Sequence, residues 1–311
     1  MVALATAMRH LVASLIALAA CGTGPATQTG TDAGTPVDAG PMMPPGFTPL
    51  VIGNWTLQPG EQKYVCVRLT LHSDVWISKI DPVAPTGTHH QVLMVGDPAK
   101  DDLPPDGTVD CDSSLTEQAL FGAGLGTQEL DIPDGIALHI AAGQQLLLNL
   151  HLFNPNDTVT MTGSSGIAVM TVDPSLVQHE AGTVLAGKAQ GLTVLPGKHD
   201  QVGTCSTGAG ETIVAVAPHM HLLGAAMKVT YTDGSGANVT VLDDEDYSFD
   251  NQQYTLMSPM LTTAAGGTLT VDCTYVNDTG QTVYFGEYTQ DEMCFAITMA
   301  YPPPSKTICT Q

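Results

Sequence analysis

The chain has 311 residues, 43% hydrophobic and only 13% charged, with 32 Gly and 21 Pro, which disfavours long helices and points to many short strands and turns. Its 31 acidic residues against 9 basic ones give a formal net charge of -22, which repels phosphate backbones and anionic headgroups and argues against nucleic acid as a partner. The length exceeds one ordinary sandwich and suits two domains, each large enough for its own core.

In chain order, the first twenty residues hold one Arg followed by an apolar run from Leu11 to Ala20, too short to span a bilayer. Residues 1–20 therefore read as a signal peptide. The segment Leu18-Ala19-Ala20-Cys21 resembles the bacterial lipobox, which makes Cys21 the expected lipidated residue. Residues 21–47 are rich in Gly, Thr and Pro and offer little to bury, so they read as a flexible linker between lipid and folded protein. The expected location is exported, in a bacterial cell envelope, as an outer-membrane lipoprotein or in the periplasm. Gly22 follows Cys21, where an Asp would favour inner-membrane retention, so the outer membrane is preferred.

From about Thr48, apolar and β-branched runs alternate with Gly, Pro, Asp and Asn clusters. Strands are predicted at Tyr64 to Leu71, Val75 to Ile80, Gln91 to Val95, Gln145 to Leu152, Ile213 to Ala217, Lys228 to Tyr231 and Thr268 to Val276. A change of texture between Val172 and Gly187 marks the expected domain join. The reading is all-β, with two tandem antiparallel β-sandwich domains over 48–176 and 177–311. No phosphate-binding loop, serine nucleophile elbow or heptad repeat is present.

Setting Cys21 aside, Cys66, Cys111, Cys205, Cys273, Cys294 and Cys309 remain, an even number in a chain with an export signal. Three disulfides are expected, and spacing alone leaves 15 connectivities open. Five of the ten histidines fall in suggestive places: His89-His90, His151 and His219-x-His221. Residues two apart on a strand share a face, so His219 and His221 can grip one ion. Adjacent residues point to opposite faces. For His89 and His90 to share an ion, the backbone must bend there or the rings must use different nitrogens, and Pro85 and Gly87 make a bend plausible. Imidazole suits Zn, Cu, Fe and Ni, and the absence of a carboxylate at close ligand spacing leaves iron and zinc-peptidase patterns unsupported. Met293, directly before Cys294, adds a thioether, and soft sulfur favours Cu(I).

The series Cys66, His89-His90, Cys111, His151, Cys205, His219-x-His221, Cys273 and Asp291-Glu292-Met293-Cys294 resembles the copper type II ascorbate-dependent monooxygenases in order and spacing, from about Val65 to Tyr301. The resemblance implies two copper ions per chain. His89, His90 and His151 would hold an electron-storing copper in the N-terminal domain. His219, His221 and Met293 would hold the dioxygen-binding copper in the C-terminal domain and act as its catalytic set. It also implies the disulfides Cys66–Cys111, Cys205–Cys309 and Cys273–Cys294, the last pinning the neighbour of Met293.

The implied function is hydroxylation of a C–H bond of a small organic substrate with O₂ and a one-electron reductant such as ascorbate, the electron crossing a solvent-filled cleft between the domains. The expected partners are that substrate and O₂, with no nucleic acid, membrane contact only through the N-terminal lipid, and a monomeric chain. In the peptide-hydroxylating members, an Arg, an Asn and a Tyr at the positions of Ala217, Phe295 and Ile297 grip a peptide carboxylate and backbone. Their replacement here predicts a neutral or cationic-amine substrate over a glycine-ending peptide. The alternative function is a non-catalytic copper-binding envelope lipoprotein.

Overall fold

The computed structural model describes residues 43–112 and 117–310. The expected signal peptide, Cys21 and all but the last few residues of the linker lie outside the described residues. The first half contains β1 (Thr48–Leu57), β2 (Gln62–Thr70), β3 (Val75–Val83), β4 (Thr88–Gly96), β5 (Gly107–Cys111), β6 (Gln118–Gly124), β7 (Leu130–Asp131), β8 (Ile136–Ile140), β9 (Gln145–Phe153) and β10 (Met161–Thr171). After a short 3₁₀ turn at Pro174–Leu176 come β11 (His179–Lys188), β12 (Thr193–Val194), β13 (Gly197–Ser206), β14 (Thr212–His219), β15 (Gly224–Thr232), β16 (Asn238–Asp244), β17 (Thr255–Thr262), β18 (Thr268–Asn277), β19 (Val283–Tyr284), β20 (Cys294–Tyr301) and β21 (Ile308–Thr310). All seven predicted strands lie within or nearly within these elements. Among the described residues no helix is long and apolar enough to cross a membrane.

Two sandwiches result. In the first, the strands β1, β10, β3 and β8 face a five-stranded sheet ordered β5-β2-β9-β4-β6. In the second, β11, β20, β14 and β17 face a four-stranded sheet ordered β13-β18-β15-β16. Sequence alternation explains both. In β18, Leu269, Val271, Cys273 and Tyr275 point into the second core while Thr270, Asp272 and Thr274 point away. Strand β9 is buried on both faces: Leu146, Leu148, Leu150 and Leu152 enter the first core, and Leu147, Asn149 and His151 face the other way. On that outer face Leu147 packs with Cys66 and Met94 and Asn149 donates to the Asp112 carbonyl, while the His151 end meets residues of the C-terminal half, and the candidate site lies there.

The halves are not separate bodies. Strands β8 and β11 pair in parallel through His179 with Ile136, Glu180 with Ala137 and Ala181 with Leu138. This joins the two outer sheets into one, ordered β1-β10-β3-β8-β11-β20-β14-β17. The first core is closed by Val214, Ala215 and Met299 of the C-terminal half. The expected join at Val172 to Gly187 is accordingly narrower than its sequence texture: most of it is β11, an apolar strand whose small residues Ala181, Gly182, Ala186 and Gly187 weaken the strand signal.

The described residues contain the disulfides Cys66–Cys111, Cys205–Cys309 and Cys273–Cys294, the pairing that the resemblance implies. The first ties β2 to β5, the second β13 to β21 and the third β18 to β20.

Candidate metal centre

On the outer face of the β2-β9-β4 sheet, Tyr64, His151 and His90 form one transverse row, because Tyr64 pairs with His151 and His151 with His90. His89 joins them through a bulge. The register of β4 against β9 steps from Thr88↔Leu152 to His90↔His151, so His89 and His90 together oppose one residue. The extra residue breaks the alternation that would send neighbouring side chains to opposite faces. Gly87, at φ +104°, precedes the bulge, and its carbonyl accepts from Phe153 N at 2.9 Å. Of the two routes open to adjacent histidines, the chain uses a bend in the backbone, and both rings present the same nitrogen.

The three Nδ1 atoms lie 3.2, 3.3 and 3.3 Å apart. A point at the centre of this near-equilateral triangle is about 1.9 Å from each corner, close to the ~2.0 Å bond between a metal ion and imidazole nitrogen. The opposite nitrogens meet three environments. The Gln62 side-chain amide lies 2.6 Å from His151 Nε2, and Tyr64 stacks on the same ring at 4.5 Å. The atom facing His151 Nε2 is Gln62 Nε2, so with Nδ1 turned to the triangle and the hydrogen on Nε2, the Gln62 amide must turn to present Oε1 as acceptor. Asp250 Oδ1 lies 3.5 Å from His89 Nε2. His90 Nε2 is buried without a hydrogen-bond partner.

The second set sits where β14 ends. Strand geometry stops at His219, yet the side-to-side alternation continues: Met220 is fully buried in the second core, and its backbone N–H and C=O are both bound by the Tyr247 hydroxyl. The rings of His219 and His221 are thereby left 5.4 Å apart at 85°. His219 Nδ1 donates to Gln252 Oε1 at 2.9 Å and His221 Nδ1 to the Asp291 carbonyl at 3.1 Å. A neutral imidazole with its hydrogen on Nδ1 has its lone pair on Nε2, so this pair offers Nε2 where the N-terminal trio offers Nδ1.

Met293, just before β20, is 3% exposed, and its carbonyl accepts from the Tyr275 hydroxyl at 2.6 Å. Beside it, the fully buried Glu292 carboxylate accepts from the backbone amides of His221 (2.9 Å), Leu223 (2.7 Å) and Met293 (3.3 Å). One side chain thus clamps both segments of the second set. A cavity of about 70 Å³ is lined by His90, His151, His219, His221 and Met293 together. The two sets therefore border one small space.

The electrostatics suit a cation. Burial lowers all five imidazole pKa values from their ordinary range: His151 to about 4, His221 to about 3, and His90 well below it, helped by the imidazoles around it. His89 and His219 shift the same way, opposed by Asp250 and by the hydrogen bond to Gln252 respectively. Neutral rings keep the lone pairs that a metal needs. Among the described residues the trio is the one group of three or more His, Cys, Asp or Glu whose ligand atoms converge within metal-binding reach. Two imidazoles and a thioether form a borderline-soft donor set, and three imidazoles a nitrogen set, and both fit copper.

Residues 179–311 match the model of the C-terminal domain of copper type II ascorbate-dependent monooxygenases. The C-terminal part of the chain is thus similar to that domain. DBH-like monooxygenase protein 1 of Gallus gallus is 27% identical over 218 residues, covering 64% of this chain and 35% of that protein. The proteins of the same name from Mus musculus and Homo sapiens are 26% and 24% identical over 220 and 219 residues, each again 64% of this chain. The chain thus spans about a third of the length of these relatives. Around the candidate ligand positions, the residues that sequence reading missed are Tyr247, Phe249, Asp250, Gln252 and Glu292. The first four lie in Asp246-Tyr-Ser-Phe-Asp-Asn-Gln-Gln-Tyr254, an irregular connection with no period to betray it, although three aromatics in so polar a run are a signal. Glu292 lies in the Asp291 to Cys294 motif, where sequence alone gives it no role.

Proposed function

We propose that this protein is a copper-dependent monooxygenase that hydroxylates a C–H bond of a small organic substrate, using O₂ and a reductant such as ascorbate. Overall, R–H, O₂, two electrons and two protons give R–OH and H₂O. Copper, when bound, supplies the one-electron redox steps and the activation of O₂. His89, His90 and His151 would hold the electron-storing ion in an N-terminal domain over 48–176. His219, His221 and Met293 would hold the O₂-binding ion in a C-terminal domain over 177–311. The observation that carries this reading is the placing of two neutral imidazole sets, one beside a thioether, on a single cavity.

The chain's own residues orient the rings. Gln62 holds His151, Gln252 and the Asp291 carbonyl hold His219 and His221, and Glu292 fixes the backbone around Met293. The wall beside Met293 is built from Leu185, Ala217, Phe295 and Ile297, all buried and without side-chain donors. A carboxylate pressed against that wall would lose its hydration without gaining a partner. The substrate is therefore a neutral aromatic or aliphatic C–H donor, or an amine attracted by the acidic surface.

Copper content per chain, measured with ascorbate-dependent O₂ uptake on amines, phenethyl compounds and glycine-extended peptides, tests this. Two coppers and turnover of the non-peptide compounds are expected. One copper or fewer in a fully oxidised, metal-loaded preparation would end the two-site reading, and two coppers without O₂ uptake would leave a copper-binding protein. Three disulfides fit an oxidising compartment. The lipid anchor at Cys21 is a further part of the proposal, tested by whether Cys21→Ser moves the protein out of the membrane fraction.

A further inference from the structure

The connection between β16 and β17 touches both imidazole sets and both halves of the molecule. On the C-terminal side, the Tyr247 hydroxyl binds Met220 between the two histidines, and Gln252 holds His219 while its Nε2 donates to the Phe249 carbonyl at 2.8 Å. On the N-terminal side, Gly126 N donates to the Asp250 carbonyl at 2.7 Å, Thr127 Oγ1 to the Gln252 carbonyl at 2.8 Å, and Gln253 Nε2 to the Gly126 carbonyl at 2.6 Å. The sequence Phe121-Gly-Ala-Gly-Leu-Gly126 allows this approach. A Cβ on Gly124 would lie 3.1 Å from the Phe249 carbonyl, and one on Gly126 2.7 Å from Asn251 Oδ1.

The segment delivers one ring between the two sets. Phe249 is 8% exposed, and its centroid lies 4.1 Å from that of His90, 5.5 Å from His89 and 5.8 Å from His221. The contact with His90 is edge-to-face at 64°, and it covers a ring whose outer nitrogen is buried with no hydrogen-bond partner, whereas Gln62 and Asp250 stand near those of His151 and His89. Packing, rather than a polar neighbour, orients that imidazole.

We infer that Phe249 is a positioning residue that sets the separation and mutual orientation of the two imidazole sets, held in place by the 246–254 connection bound to both halves. A rigid, apolar body between the sets keeps them at a fixed distance and excludes water, which a hydrogen-bonding side chain there would admit. The inference rests on the two-copper reading, and its test separates the two.

With both sites loaded with Cu(II), pulsed electron paramagnetic resonance reads the copper–copper distance and its spread. The wild type is expected to show two coppers per chain and a narrow distribution. Phe249→Ala is expected to keep two coppers, widen the distribution and lower turnover tenfold or more, and Phe249→Leu, which refills most of the space, to recover part of both. Gly124→Ala leaves the ring in place but pushes on its backbone, and the same widening is expected from it, so the test stands even if the alanine variant at 249 does not accumulate. A wild-type distribution in either Phe249→Ala or Gly124→Ala would overturn the inference. Fewer than two coppers on the wild type would instead overturn the two-copper reading.

Discussion

At the scale of single residues, side chains that touch no metal position decide where the ligands stand. Glu292 accepts three backbone amides, yet burial still drives its pKa up to about 7, so desolvation outweighs the hydrogen bonds. Glu292→Gln puts an amide N–H against one of those donors, and removing a group that orients ligands costs about 10- to 100-fold in metal affinity. That loss is expected at the His219, His221 and Met293 set alone, and competition with a copper chelator on the two sites measures it. Gly87 is a second such position. A Cβ there would meet the Trp55 ring at 2.6 Å in a backbone conformation that favours glycine. Gly87→Ala is expected to destabilise the protein by about 1 to 3 kcal/mol, the cost of a strained left-handed position, seen as a lower urea midpoint. For the ligands themselves, Met293→Ile is expected to stop hydroxylation while copper stays on the trio, and His151→Ala to spare the second set while halting electron supply. Near-normal turnover in either variant would refute the role given to that residue.

At the scale of elements, legibility in the sequence followed the period of the chain. β9 and β18 were legible because alternation of two writes burial directly into the residues, as Leu146 to Leu152 and Leu269 to Tyr275 show. β11 looks like a join in the sequence because its glycines and alanines pack closely without large side chains, and small residues do not advertise burial. The bulge at His89 was half legible: Gly87 announced a departure, but which of two geometries resulted depends on the pairing of β4 with β9, a contact between residues about sixty positions apart. The 246–254 connection is hard to read for the same reason: beyond its three aromatics it has no period, and its partners lie at His219 and Met220 and, in the other half of the chain, at Gly126 and Thr127. The disulfide between β18 and β20 is the element-scale device nearest the site. Removing it with Cys273→Ser and Cys294→Ser releases a 21-residue loop, and chain entropy sets the cost at about 3 kcal/mol. The larger effect expected is local: weaker copper at the second set with the trio unchanged, read by titrating each site.

At the scale of the whole molecule, the buried histidines make stability depend on pH, with a sign that follows from linkage. The unfolded chain takes up protons near the ordinary histidine pKa of 6.5, whereas folded His151 and His221 resist until about 4 and 3. Stability from these groups is complete above pH 6.5 and falls as pH drops toward the folded values, by about 2 kcal/mol for each imidazole at pH 5. Glu292 acts in the opposite sense, since its raised pKa makes the folded state hold a proton that the unfolded state releases above about 4.5, which returns about 2 kcal/mol on going from pH 7 to 5. His90 adds to the loss. The metal-free protein is therefore expected to be at least about 2 kcal/mol less stable at pH 5 than at pH 7, measured by urea titration at both. An unchanged midpoint would mean that the imidazoles are not held neutral.

The parallel pairing of β8 with β11 also says how a substrate can get in. The cavity of about 70 Å³ is far below the ~300 Å³ at which pockets begin to enclose drug-sized molecules, so a bulky substrate needs movement at its rim while the imidazole sets keep their separation. Like a book, it has a spine and a fore-edge: the spine is the β8–β11 ladder, and the fore-edge is the contact of the Tyr64 hydroxyl with Thr289 Oγ1 at 3.4 Å, beside the cavity. A spine of continuous sheet resists separation, and the 246–254 connection ties both halves beside the site, so movement is confined to the outer margin. Amide hydrogen exchange should then divide the molecule unevenly, with Glu180 and Ala181 protected nearly as long as the cores while the backbone from Phe285 to Asp291 exchanges orders of magnitude sooner.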